Sequence, residues 1–91
     1  LEQLSEREFE VLSLVGRGLS NEQIASELHR SPRTIQGHRL AIGSKCQVGH
    51  RVDVARVAID AGIADIPLEE VRRIWRGSTK TRKRAEITKK N

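Results

Sequence analysis

"SNEQIASELHRSPRTIQGHRLAIGSKC", residues 20–46, contains two helix starts eleven residues apart, and their reading decides the fold. Ser20 with Gln23 three positions on has the form of a capping box, in which the serine hydroxyl and the glutamine side chain each satisfy an orphan backbone N–H. Ile24, Ala25 and Leu28 then recur at helical spacing, which predicts a short helix over about 21–28. His29 and Arg30 form a turn. Ser31 caps the next helix, and Pro32 suits its first position, where a missing N–H costs nothing. That helix is predicted to run to about Cys46, with the following "QVGH" breaking it at Gly49.

On a helical projection Ile35, Ile42 and Cys46 share one face of this second helix, with His38 near it. The opposite face carries Arg33, Gln36, Gly37, Leu40 and Ser44. It is small, cationic and free of acid, unlike an ordinary solvated face. Two short helices joined by a tight turn have the geometry of a helix-turn-helix, in which the first helix needs a small residue where the second crosses it. Ala25 and the β-branched Ile35 meet that need, and Ile24 and Leu28 are their core partners.

Working outward, "LSERE" at residues 4–8 is a second capping box, Ser5 with Glu8, and Leu4 is placed to staple onto Phe9. A helix is predicted over about 6–17, stopped by Gly18. Downstream, a Val-, Ala- and Ile-rich helix is predicted over about 51–61, ended by Gly62. Periodicity assigns Val52, Ala55 and Ile59 to the core and leaves Val54, Ala58 and Ala61 on another stripe. Pro67 restarts a helix, about 67–76, with Leu68, Val71 and Trp75 on one side. The basic remainder has the composition of a disordered tail. The expected fold is all-α: a small four-helix bundle with a helix-turn-helix over residues 1–66, plus a C-terminal extension over 67–91 made of one helix and a basic tail.

Ninety-one residues with 36% hydrophobic content, one Trp, one Phe and no Tyr or Met must build their core from Leu, Ile, Val and Ala. One cysteine forms no internal disulfide, which favours a cytoplasmic setting, with Cys46 as a buried thiol. No apolar run approaches the roughly 20 residues of a membrane span. The three histidines lack ligand spacing, so no metal is expected, and nothing calls for a cofactor. No acid pair, nucleophile–base pair or phosphate loop points to an enzyme. The net charge of +5 is unevenly distributed: −4 over residues 1–28, +5 over 29–56, −2 over 57–66 and +6 over 67–91. Cations therefore gather on the second helix of the motif and on the tail, which suggests a nucleic-acid partner. The first helix, with its glutamates, is expected to repel anions.

The string "LSEREFEVLSLVGRGLSNEQIASELHRSPRTIQGHRLAIGSKCQV" resembles the LuxR/FixJ-type DNA-binding domain of bacterial transcription regulators. The matching positions are Leu4, Ser5, Arg7 and Glu8, then Val11-Leu12, Gly18 through Asn21, Ile24-Ala25 and Leu28. Ser31 through Ile35, His38-Arg39, Ile42, Lys45 and Arg51 complete the set. The resemblance covers about residues 1–63. It implies a four-helix bundle whose third helix enters the DNA major groove, whose fourth commonly pairs two protomers, and whose output is controlled by a receiver or sensor domain outside this chain. Arg30, where the family usually has an apolar residue, and Cys46, where it usually has leucine, depart from the pattern.

Chemistry and resemblance together nominate the contacts. Gly37 lets the helix backbone approach the groove floor, and Leu40 suits a thymine methyl. Gln36 suits an adenine edge, and Arg39 a guanine. Ser31, Arg33 and Thr34 at the helix start, Asn21 at the preceding helix start, and His38, Lys45 and Arg51 are expected on phosphates. Val54, Ala58 and Ala61 are the expected dimer contact. The function expected is sequence-specific binding of double-stranded DNA as the output domain of a transcription regulator. Two alternatives stand beside it: a protein-interaction module contacting RNA polymerase, as the fourth region of sigma factors does, and a non-specific nucleic-acid binder driven by the tail.

Overall fold

A computed structural model describes residues 3–77, apart from the Arg51 side chain. The basic tail from residue 78 and the expected Arg51 phosphate contact lie outside the described residues. Five helices and no strand occur among those described: α1 (Glu6–Gly16), α2 (Asn21–Leu28), α3 (Pro32–Cys46), α4 (Arg51–Asp60) and α5 (68–77). None is long and apolar enough to cross a membrane.

The expected caps form. Ser5 Oγ accepts from Glu8 N at 3.1 Å while Glu8 Oε1 accepts from Ser5 N at 2.9 Å. Ser20 and Gln23 repeat the exchange at 3.2 and 2.8 Å. Gly18, at φ 88°, reverses the chain after α1. In the motif's turn His29 adopts a left-handed φ of 56° without being glycine, and Arg30 N closes the turn on Ala25 O at 2.9 Å. Histidine is among the side chains that tolerate this region best. α3 ends at Cys46 as expected, and the residue that turns the chain there is Gln47, at φ 59°, rather than Gly49. There Gly43 has a structural use: a Cβ on it would sit 2.9 Å from Val48 O, the residue whose N–H donates to Gly43 O.

α1 is the central helix. Glu8 through Val15 are all buried, and α2, α3 and α4 pack around it. A helix surrounded on all sides should be apolar throughout, and its polar residues are tolerated because each is satisfied. Ser13 Oγ donates to Ile63 O at 2.7 Å. Glu10 accepts from Arg7 of its own helix and from Arg72 of α5. Glu8 accepts from Lys45 of α3 at 2.7 Å, and Glu6 pairs with Arg76 of α5 at 3.0 Å. The expectation of an anion-repelling first helix is therefore corrected: its carboxylates are neutralised by cations from other helices.

A second correction concerns α4. Val54 and Ala58 are buried, whereas Val52 and Ile59 are 78% and 57% exposed. Both stripes are apolar and both have helical spacing, so periodicity alone could not choose between them. Close approach decides. A Cβ on Gly16 would stand 2.6 Å from Ala58 Cβ, so α1 and α4 cross where only glycine facing alanine fits. Val54 and Ala58 are thus core residues and are closed to a partner, while Ala61 stays exposed.

α5 joins the same core. Val71 is fully buried, and Leu68 and Trp75 pack against the cluster formed by the other helices. The segment before it is held as well, with Ile63 and Ala64 buried and Arg17 Nε donating to Ala64 O at 2.9 Å.

Candidate nucleic-acid interface

α3 lies across α1 and α2 with Ile35 and Ile42 fully buried and Cys46 half-buried, as its projected inner face requires. Ala25 of α2 and Ile35 of α3 are both in the core, the small-against-branched pairing that a helix-turn-helix needs. Everything on the projected outer face is exposed: Arg33, Gln36, Gly37, Leu40 and Ser44. Leu40 is 69% exposed. No acidic residue stands on α3. Beside this face a groove of about 490 Å3 is lined by Asn21, Gln36, Arg39, Leu40 and Ser44, among others.

Gly37 is the informative residue. A Cβ built there meets nothing within 4 Å, and its φ is ordinary. The fold therefore makes no demand for glycine at this position, in contrast to Gly16 and Gly43. Glycine costs an exposed helix about 1 kcal/mol relative to alanine. An outer surface that is bare here presents its backbone to whatever approaches.

The expected phosphate contacts divide into two groups. Ser31, Arg33 and Thr34 are exposed at the start of α3, where Ser31 Oγ accepts from Thr34 N at 3.2 Å and bonds to Thr34 Oγ1 at 3.0 Å. His38 is half-buried beside the core face. Lys45 is drawn inward to Glu8, and this ion pair fastens the end of α3 to the start of α1. Burial of Glu8 opposes its ionisation. The hydrogen bonds from Lys45 and Ser5, with the lysine's charge, outweigh that and hold its pKa below the usual 4.5.

Arg39 does not share the outer face. At about 100° per residue it lies about 40° from Ile35 and about 60° from Gln36, on the shoulder between core and surface. It is half-buried, and its Nη1 donates to Oδ1 of Asn21, the first residue of α2. Neither this pair nor Glu8–Lys45 was legible in the sequence, because each joins long side chains from different helices. Among the described residues no cluster of His, Cys, Asp or Glu could hold a metal ion.

Comparison with known proteins gives the same region an identity. The model of the luxR family of bacterial regulatory proteins (GerE) matches residues 2–58. The chain is 42% identical over 62 residues to the transcriptional regulatory protein FixJ of Rhizobium meliloti (strain 1021), covering 68% of this chain and 30% of that protein. It is 36% identical over 64 residues to the uncharacterized response regulatory protein YgeK of Escherichia coli (strain K12), covering 70% of this chain and 44% of the relative. It is also 44% identical over 55 residues to the HTH-type transcriptional regulator MalT of Klebsiella pneumoniae (strain 342), covering 60% of this chain and 6% of the relative. The chain thus spans less than half the length of each. No solved structure gives a significant match.

Proposed function

Because the chain belongs to the luxR family of bacterial regulatory proteins, as a LuxR-type helix-turn-helix DNA-binding domain, we propose that it reads a specific duplex sequence by laying α3 in the major groove. In this reading Gln36, Gly37 and Leu40 meet base edges, and Ser31, Arg33, Thr34 and Asn21 meet phosphates flanking them. The observation that carries it is Gly37, a glycine that the protein's own packing does not need, in the middle of an exposed, acid-free helical face. A duplex whose groove floor must come within contact distance of the helix backbone supplies the missing reason.

Lys45, held by Glu8, contributes a fixed positive charge near the end of α3, and His38 and Arg51 complete the expected phosphate set. Two copies pair through the outward side of α4, where Val52, Ile59 and Ala61 are exposed, and each copy reads one of two inverted half-sites. The whole protein works in the cytoplasm as a response-type transcription regulator, its receiver or sensor domain lying outside this chain.

Selection of duplexes from a randomised library, followed by methylation interference, tests the reading. A recurring motif with major-groove guanines whose methylation blocks binding is the expected result. Recovery of duplexes with no shared motif would overturn it.

A further inference from the structure

The Asn21–Arg39 contact joins the first residue of the scaffold helix to the middle of the recognition helix, and it lies at the edge of the groove beside the outer face. Three observations bear on what it does. Arg39 stands on the shoulder of α3, closer round the helix to Ile35 than to Gln36, and is half-buried. Its guanidinium is directed at α2, towards the amide oxygen of Asn21. Asn21 itself is fixed, because Ser20 and Gln23 cap the helix it begins.

α2 and α3 also contribute Ile24, Ala25 and Leu28 on one side and Ile35 on the other to the shared aliphatic core. Such contacts resist separation but are non-directional and tolerate small rotations. A planar guanidinium bonded to an amide oxygen adds the orientation that they lack. The bond joins residues one helical turn from Ala25 on α2 and one turn from Ile35 on α3, and that separation gives it leverage over the tilt of α3.

We propose that Asn21 and Arg39 act as one unit, a brace that fixes the tilt of α3 on α2 and so sets base discrimination by Gln36 and Leu40, without Arg39 itself touching a base. This revises the base contact that the sequence suggested for Arg39, and it rests on the DNA-binding reading above. Arg39 is then a positioning residue. Its loss blurs recognition at every position read by α3, and Asn21 and Arg39 lose their effects together, because removing either one abolishes the same bond.

The test uses the full chain and the duplex selected by it, together with all single-base variants of that duplex. Affinities are measured for wild type, Asn21→Ala, Arg39→Gln and the double variant, each at four salt concentrations, with thermal melts to follow folding. The expected outcome is that each single variant lowers discrimination about tenfold at several base positions. The double variant is no worse than the poorer single one, and the salt slope of Arg39→Gln matches wild type. Arg39→Lys, which keeps a donor, is expected to recover part of the discrimination, and to recover none when Asn21 is alanine.

Three results would overturn the proposal. Relaxation at a single base position in Arg39→Gln marks a direct base reader. A drop of about 0.9 in the log–log salt slope marks a phosphate contact. Additive losses in the double variant mark two independent roles. If Arg39→Gln fails to fold, the comparison of Arg39→Lys with and without Asn21→Ala carries the same decision, with equal recovery in both backgrounds counting against the brace. A wild-type chain that prefers no duplex overturns the DNA-binding reading itself, which separates that failure from failure of the brace.

Discussion

The indole N–H of Trp75 donates to the carbonyl of Leu4 at 2.9 Å, across 71 residues of sequence. This bond, with Arg72 on Glu10, Arg76 on Glu6 and the buried Val71, lays α5 along α1. α5 lies beyond residue 58, where the family match ends, yet it is docked on the same core through Val71, Leu68 and Trp75. Trp75→Phe, which keeps most of the apolar contact and loses the donor, is expected to lower unfolding stability by about 0.5–1.5 kcal/mol. Trp75→Ala should cost about 3 kcal/mol, near the low end for such truncations because the ring is only half-buried. Urea unfolding followed by circular dichroism measures both, and a stability unchanged in Trp75→Ala would show that the indole adds nothing to the docking of α5.

Gly16 and Gly37 predict opposite responses to the same substitution. A Cβ at Gly16 would stand 2.6 Å from Ala58 Cβ and 3.0 Å from Ala64 Cβ, so Gly16→Ala must push α1 and α4 apart. The expected loss is about 1–3 kcal/mol. At Gly37 the added methyl meets nothing, so Gly37→Ala should stabilise the isolated chain by about 0.5–1 kcal/mol. The same change should weaken binding to the selected duplex, since the methyl occupies the approach path. A Gly37→Ala protein that is more stable and binds equally well would remove the main support for close backbone approach.

Acid should weaken the fold through Glu8. Its pKa is held below 4.5 in the folded chain, so the folded state favours the ionised carboxylate more than the unfolded state does. The resulting stability is intact above about pH 4.5 and is lost as pH falls through the lowered folded value. Glu8→Gln is expected to be less stable than wild type at pH 7 and to show a shallower decline between pH 5 and pH 3. Denaturant midpoints across that range test the sign, and parallel curves for the two proteins would exclude Glu8 as a contributor.

The two stripes of α4 separate by charge insertion. Val54→Asp puts a carboxylate into the core beside α1 and should abolish cooperative unfolding. Val52→Asp alters a residue that is 78% exposed and should leave the melting curve nearly unchanged. If α4 pairs two copies on DNA, Val52→Asp also converts two-site binding into independent single-site binding, visible as a loss of the slower complex in a mobility-shift series. An unchanged series would move the pairing surface elsewhere.

Most local structure could be read from the chain because its signals are local. Ser5 with Glu8 and Ser20 with Gln23 satisfy backbone groups within one helical turn, and their geometry needs no distant partner. The inner and outer faces of α3 followed in the same way, since only one of them is apolar. α4 defeated this reasoning because it has two apolar stripes, and the choice between them was made by Gly16, forty-two residues from Ala58. The glutamates of α1 misled for a related reason. Apart from Arg7 of α1 itself, their cations come from α3 and α5, at separations of 37, 62 and 70 residues, and charge counted along a sequence window cannot reveal who neutralises whom. For Arg39 residue type and position point different ways: its type suits a guanine, whereas its angular position on α3 brings it to Asn21, a contact between helices that sequence spacing does not reveal.

Since Trp75 is the only tryptophan of the chain, intrinsic fluorescence reports the joint between α5 and the start of α1 and nothing else. A titration with oligonucleotide can therefore leave the emission flat while the ligand occupies α3. Conversely, a red shift during mild heating would reveal detachment of the last helix before the rest of the bundle melts, giving that single event an optical signature of its own.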